Sequence, residues 1–158
     1  MAENEGFEGA AFGVMDGIII ALGVMMGLSV AENSLILFIS IMMAGVADSF
    51  ANAAGMYVSE ESERTHSKRE IIKSSIFAFI GTFAVVTAIA LPIMVFPIAT
   101  AILIGFGIGI VLLACLGYFV AKVSNLSKKR LMAKYIIIGV IVSIICFALG
   151  QVIAGIVK

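Results

Sequence analysis

The 158-residue chain alternates between long apolar runs and short polar breaks. A helix needs ~20 mostly apolar residues to cross the hydrocarbon of a bilayer. Five runs have that length: 12–31, 35–58, 71–92, 97–121 and 135–157. The breaks between them have physical causes. Ala31 to Ser34 is a short polar turn whose Glu32 and Asn33 suit the start of the next helix. Leu91-Pro92 and Phe96-Pro97 bound a tight hairpin, because each proline lacks an amide proton and disfavours helix in the residue before it. Ser59–Glu70 and Lys122–Lys134 are the two polar connections. The pattern predicts an all-α integral membrane protein, a multi-pass protein of the cell membrane in which residues 1–158 form a single five-helix transmembrane domain.

Composition agrees. The chain is 62% hydrophobic and 13% charged, with a mean hydropathy of +1.20, against about 25% charged residues in soluble domains. The opening residues are acidic and lack the basic region of a signal peptide, so the first span is expected to act as its own insertion signal. Cys115 and Cys146 lie mid-span with no CxxC spacing, and are expected to be small buried hydrophobes.

Net charge is zero, but its distribution is uneven. Arg64, Lys68, Arg69, Lys73, Lys122, Lys128, Lys129, Arg130 and Lys134 lie in or beside the two polar connections; only Lys158, among the ten basic residues, lies elsewhere. With five spans, both connections fall on the side of the N-terminus. The positive-inside rule then places the N-terminus in the cytoplasm and the C-terminus outside. Inverted repeats need matched halves within a chain, and none is visible here. A transport path would therefore arise most simply in a symmetric homodimer.

Asp16 and Asp48 are the only acids within the apolar runs, and no basic residue accompanies them at mid-span. A carboxylate in hydrocarbon costs several kcal/mol unless it meets a cavity, a partner or a cation, so each is a candidate site. Gly45, Asp48, Asn52, Gly55 or Met56, and Ser59 recur at helical steps on the second span. Gly13, Asp16, Ile20, Gly23 and Gly27 do so on the first, with Gly13/Gly17 and Gly23/Gly27 as small-xxx-small pairs that let helices approach closely in lipid. At 1.5 Å per residue, Asp16 is expected ~6 Å, Asn52 ~9 Å and Asp48 ~15 Å from the cytoplasmic ends of their spans. The two helices are joined by a short turn, so both acids can line one site.

Carboxylate and amide oxygens suit divalent cations, and a thioether shifts preference toward transition metals. Six of the nine methionines lie in the first two spans: Met15, Met25, Met26, Met42, Met43 and Met56. Met56, one turn beyond Asn52, is the best sulfur ligand; the competing reading is that methionines fill core gaps. For the aspartates the competing reading is helix–helix hydrogen bonding by a protonated acid. Below the second span, Glu60, Glu61 and Glu63 form an acidic mouth that would concentrate cations, and Glu3, Glu5 and Glu8 lie on the same side. Glu63, His66 and Glu70 would share a helical face able to hold iron or manganese, although a solvated helix extension is the favoured reading there.

No nucleophile–base pair, HExxH or phosphate loop is present, and His66 is the only histidine, so no enzyme is expected. The neutral balance and the lack of aromatic-interleaved basic patches argue against nucleic acid. The basic loops fit orientation and anionic lipid.

GVMDGIIIALGVMMGLS, followed by AGVADSFANAAGMYVSEESE, resembles the first two spans of the vacuolar iron transporter family, and the hairpin LPIMVFP and the small-residue-rich last spans also fit. The resemblance implies five spans, a dimer, and export of Fe²⁺ or Mn²⁺ from the cytosol with proton exchange. It matches Asp16 to the family's first-span metal-site aspartate and Asp48 to a second-span acid of prokaryotic relatives. Two departures stand out. The family usually carries Met where this chain has Asn52, and many members insert a glutamate-rich metal-binding domain where this chain has only residues 59–70. The expected site is Asp16, Asp48, Asn52 and Met56, fed by Glu60, Glu61 and Glu63. The metal is cargo, protons are the exchanged ion, and no resident cofactor is expected. The rival expectation is a non-transporting membrane protein whose aspartates are structural.

Overall fold

Five long helices follow the five apolar runs. The computed structural model describes residues 2–31, 33–63 and 67–157. In it α1 spans Ala2–Gly27, α2 Ser34–Glu63, α3 Lys68–Ala90, the single-turn α4 Pro92–Val95, α5 Ile98–Val123 and α6 Lys128–Val157. With α4 continuing the third crossing, five segments are long and apolar enough to span a membrane.

The helices run further into polar sequence than the hydrophobic runs indicated. α2 carries on through Ser59–Glu63, and α6 takes in Lys128–Lys134. Glu, Lys and Arg are good helix formers, and nothing in either stretch breaks the helix once the span has nucleated it. The breaks that remain are made by local chemistry. Asn33 Oδ1 accepts from the amides of Leu35 (2.9 Å) and Ile36 (3.2 Å), capping α2 as anticipated. Glu32, Arg64 and His66, and the side chains of Glu3 and Glu5, lie outside the described residues. Ser67 and Glu70 form a reciprocal capping box on α3: the Glu70 carboxylate accepts from the Ser67 amide at 2.8 Å, and Ser67 Oγ from the Glu70 amide at 3.4 Å. Asn125, at φ 53°, closes α5; the Leu126 amide donates back to the Ala121 carbonyl at 2.9 Å, a Schellman-type ending. Pro92 opens α4 and Pro97 caps α5, which gives the tight connection read from the sequence.

α1 and α3 form the centre of the bundle and pack along each other most extensively; α2 lies along α3, and α6 is the least enclosed. Ile18, Leu22 and Met25 of α1 are fully buried with Leu37, Ile41, Val86, Ile89 and Leu113. The glycines of α1 set the α1–α3 distance. A Cβ at Gly13 would collide with the Ala78 carbonyl, and one at Gly17 would lie 2.7 Å from the Thr82 carbonyl oxygen. The other small pair serves another neighbour: Gly23 and Gly27 pack against Cys146 of α6. The first-span stripe expected on one face is therefore divided between α3 and α6.

The buried hydroxyls of Ser49 and Ser143 are satisfied within their own helices, Ser49 by the Gly45 carbonyl at 2.6 Å and Ser143 by the Gly139 carbonyl at 2.8 Å. Cys115 is exposed and Cys146 partly buried, so the expectation that both are buried is corrected; Cys115 lines a groove with Ala11 and Val14 of α1 and Val85 of α3.

Candidate metal site

The close α1–α3 contact has a chemical consequence. It brings the Thr82 hydroxyl to 2.9 Å from the Gly13 carbonyl, across the helix interface, and 3.0 Å from the Ala78 carbonyl of its own helix. The single hydroxyl proton is spent on these carbonyls, so the Thr82 oxygen meets α2 as an acceptor. Asn52 of α2 uses it: Asn52 Nδ2 donates to Thr82 Oγ1 at 3.0 Å.

The same nitrogen reaches both intramembrane acids. Asn52 Nδ2 is 2.9 Å from Asp16 Oδ2 and 3.2 Å from Asp48 Oδ2. An amide carries two protons, so three acceptors around one nitrogen share them, with the longest contact, to Asp48, the weakest. Asp16, Asp48, Asn52 and Thr82 thus form one polar knot tying three helices. Asn52 is only 6% exposed, whereas Asp16 and Asp48 are half-buried, reaching the edge of the bundle.

The α1 helix starts well before residue 12, which changes the depth of this knot. Asp16 lies ten residues beyond the Gly6 end of its crossing, ~15 Å by helical rise, deeper than its expected ~6 Å. The amide bridge sets Asp16 and Asp48 around one point rather than on separate levels.

The remaining candidate residues are spread along α2. Met56 is half-buried one turn beyond Asn52, and no hydrogen bond joins it to the knot. Glu60, a further turn on, is buried, while Glu61 and Glu63 are exposed. Glu70 is engaged in the α3 capping box. Among the described residues, no three His, Cys, Asp or Glu side chains converge as a metal cluster. The methionines divide: Met25 is fully buried core, Met15 and Met42 pack against that core, and Met43 is 67% exposed. Thr82 is the residue that sequence reasoning passed over. A lone threonine in an apolar run reads as a self-satisfied hydroxyl; only the one-turn match of Gly9, Gly13 and Gly17 with Ser74, Ala78 and Thr82 could have pointed to it.

Fold and site together define a five-span helical membrane protein with a paired-carboxylate centre among its first three helices. Comparison with known proteins agrees with the resemblance in the first two spans: residues 7–77 match the model of the VIT family. That match contains Asp16, Asp48, Asn52 and Glu60 and stops short of Thr82. The chain is also 26% identical, over 163 aligned residues, to an uncharacterized protein of Methanocaldococcus jannaschii, an alignment covering 88% of this chain and 85% of the relative.

Proposed function

We propose that this chain is a transporter that exports a divalent transition metal, Fe²⁺ or Mn²⁺, from the cytosol in exchange for protons, and that it works as a homodimer in the cell membrane. The observation that carries the reading is the single Asn52 nitrogen within hydrogen-bonding distance of two intramembrane carboxylates. Two acids at one point in hydrocarbon repel each other and are costly. In the empty protein the amide protons offset that cost. A divalent cation between the carboxylates offsets it far better. A half-turn of the Asn52 amide exchanges its NH₂ for its carbonyl oxygen, turning a donor that holds the cation's place into a ligand. The set is then two carboxylates, an amide oxygen and the Thr82 hydroxyl, with Met56 one turn away as a sulfur ligand. Oxygen ligands with a neighbouring thioether fit Fe²⁺ and Mn²⁺. Protonation of either carboxylate removes a charge and releases the ion, which couples proton entry to metal exit.

Match to the VIT family supports metal transport. The basic residues of 64–73 and 122–134 support a cytoplasmic N-terminus, with the exposed Glu61 and Glu63 at the cytosolic mouth. The dimer is supported by an exposed run of small residues on α2, Ala47, Ala51, Ala54 and Gly55, beside the half-buried Asp48.

The test is flux of Mn²⁺ and Fe²⁺ into inside-out proteoliposomes carrying a pH-sensitive dye. The wild type should accumulate metal and lose protons from the lumen. Asp16→Asn and Asp48→Asn should abolish both signals while keeping the assembly intact. Unchanged flux in Asp16→Asn rejects the reading, and loss of assembly in both variants points instead to structural aspartates.

A further inference from the structure

Glu60 is one of three glutamates at the end of α2, but its surroundings set it apart. It is only 7% exposed, and among the described residues its Oε2 has no hydrogen-bond partner. A buried carboxylate without a partner is among the costliest arrangements a protein can hold. Glu61 and Glu63, its sequence neighbours, are exposed and carry no such cost.

The helix register shows what lies beside it. α2 and α3 run antiparallel, with Gly45 against Val86 and Asn52 bonded to Thr82. Two further turns along α2 bring Glu60 level with the Ile71–Ser75 turn of α3, where Ser74 and Ser75 are both buried. Ser75 Oγ donates to the Ile71 carbonyl at 2.8 Å, so its proton is spent and its oxygen is left as an acceptor. Two basic side chains of this end of α3 are directed elsewhere. Lys73 lies across Gly6 with its ammonium 6.0 Å from the Phe77 ring centroid, and Arg69 lines a surface pocket with Ser67 and Glu70. Ser75 therefore offers an oxygen acceptor at the level of the buried Glu60 carboxyl, and among the described residues no Lys or Arg is paired with that carboxyl.

We infer that Glu60, with the Ser75 hydroxyl of the α3 turn level with it, forms a second divalent-cation site, a staging post on the cytosolic side of the Asp16–Asp48 pair. It rests on the reading of the chain as a metal transporter. Glu60 and Asn52 face α3 from the same side of α2, eight residues or ~12 Å apart along the helix. Met56 stands midway between them. A cation captured at Glu60 has lost part of its hydration before it meets the aspartates, and the soft Met56 sulfur lies on the way. The exposed glutamates attract; the buried one binds.

Equilibrium binding of Mn²⁺ to the purified full chain in lipid nanodiscs, read by EPR and by the Mn²⁺-induced shift in thermal midpoint, tests this. The wild type should bind two Mn²⁺ per chain. Glu60→Gln keeps the side-chain volume and removes the charge. It should bind one, with a metal-free thermal midpoint no lower than that of the wild type. Glu61→Gln, at the exposed neighbour, should still bind two, and Asp16→Asn should lose the other site. If Glu60→Gln binds as many Mn²⁺ as the wild type with unchanged affinity, the staging site is overturned while the aspartate site stands. If Glu60→Gln loses one ion but Asp16→Asn transports normally, the staging site stands and the proposed transport mechanism falls.

Discussion

At the level of single residues, the centre depends on one hydroxyl. Thr82 accepts from Asn52 and donates toward the Gly13 carbonyl, so it orients the amide that holds both acids. Thr82→Val keeps the shape and removes both roles, leaving buried polar groups short of a partner, an arrangement that costs ~1–3 kcal/mol. Denaturation in detergent should show a loss of that size. Thr82→Ser keeps the hydroxyl and should recover most of it. Flux should follow the hydroxyl rather than the methyl group: Thr82→Val slow, Thr82→Ser near wild type. Equal flux in the two variants would mean that Thr82 only packs. A second expectation concerns Asn52. Asn52→Asp replaces the only donor with a third carboxylate, which should destabilise the metal-free protein and tighten Mn²⁺ binding, a pairing of opposite effects that calorimetry with and without metal would read directly.

At the level of helices, the site is held in place by backbone proximity. α1 meets α3 through glycines whose missing Cβ atoms leave room for the carbonyls of Ala78 and Thr82. Gly13→Val would force the helices apart and draw Gly13 away from Thr82. Overpacking of this kind costs ~1–3 kcal/mol or more. The same change at Gly107, where a Cβ meets nothing within 4 Å, should leave stability and flux intact. Thermal unfolding and transport of the two variants check this contrast. The sequence made several of these elements legible, and the limits are instructive. Five crossings, the proline connection and the Asn33 cap are written in local residue chemistry, and so is the step-of-four stripe that sets Asp48 one turn from Asn52. Helix ends were less legible, because Glu- and Lys-rich sequence is compatible with either a loop or a helix extension, and the neighbouring span decides. The division of the α1 glycines between α3 and α6 was not legible at all. A stripe says that something packs closely against it, and only tertiary structure says what. For the same reason the three glutamates after Val58 look alike in sequence, whereas the packing against α3 buries one and leaves two in solvent.

At the level of the whole molecule, the bundle is lopsided. α3 is enclosed, yet α2, which supplies Asp48 and Asn52, has one face buried on α3 and the other open. That open face is not uniformly greasy. Large side chains, Met43, Phe50 and Val58, flank a run of small ones, Ala47, Ala51, Ala54 and Gly55. Lipid tails gain little from small residues, whereas a second helix gains close van der Waals contact from them. A twofold axis along this run would set the two Asp48 side chains toward each other and enclose both acid pairs in one shared path. Gly55 gives a clean way to test it, because a Cβ there meets nothing within 4 Å in the single chain. Gly55→Leu should therefore leave the fold of one chain unharmed, with wild-type helix content. In the dimer it should wedge the helices apart. Subunit counting by single-molecule photobleaching in nanodiscs should show a shift from two chains to one, and Mn²⁺ flux should fall in the same proportion. A monomer that still transports would place the path within one chain, and a dimer that persists with full flux would move the interface to another face.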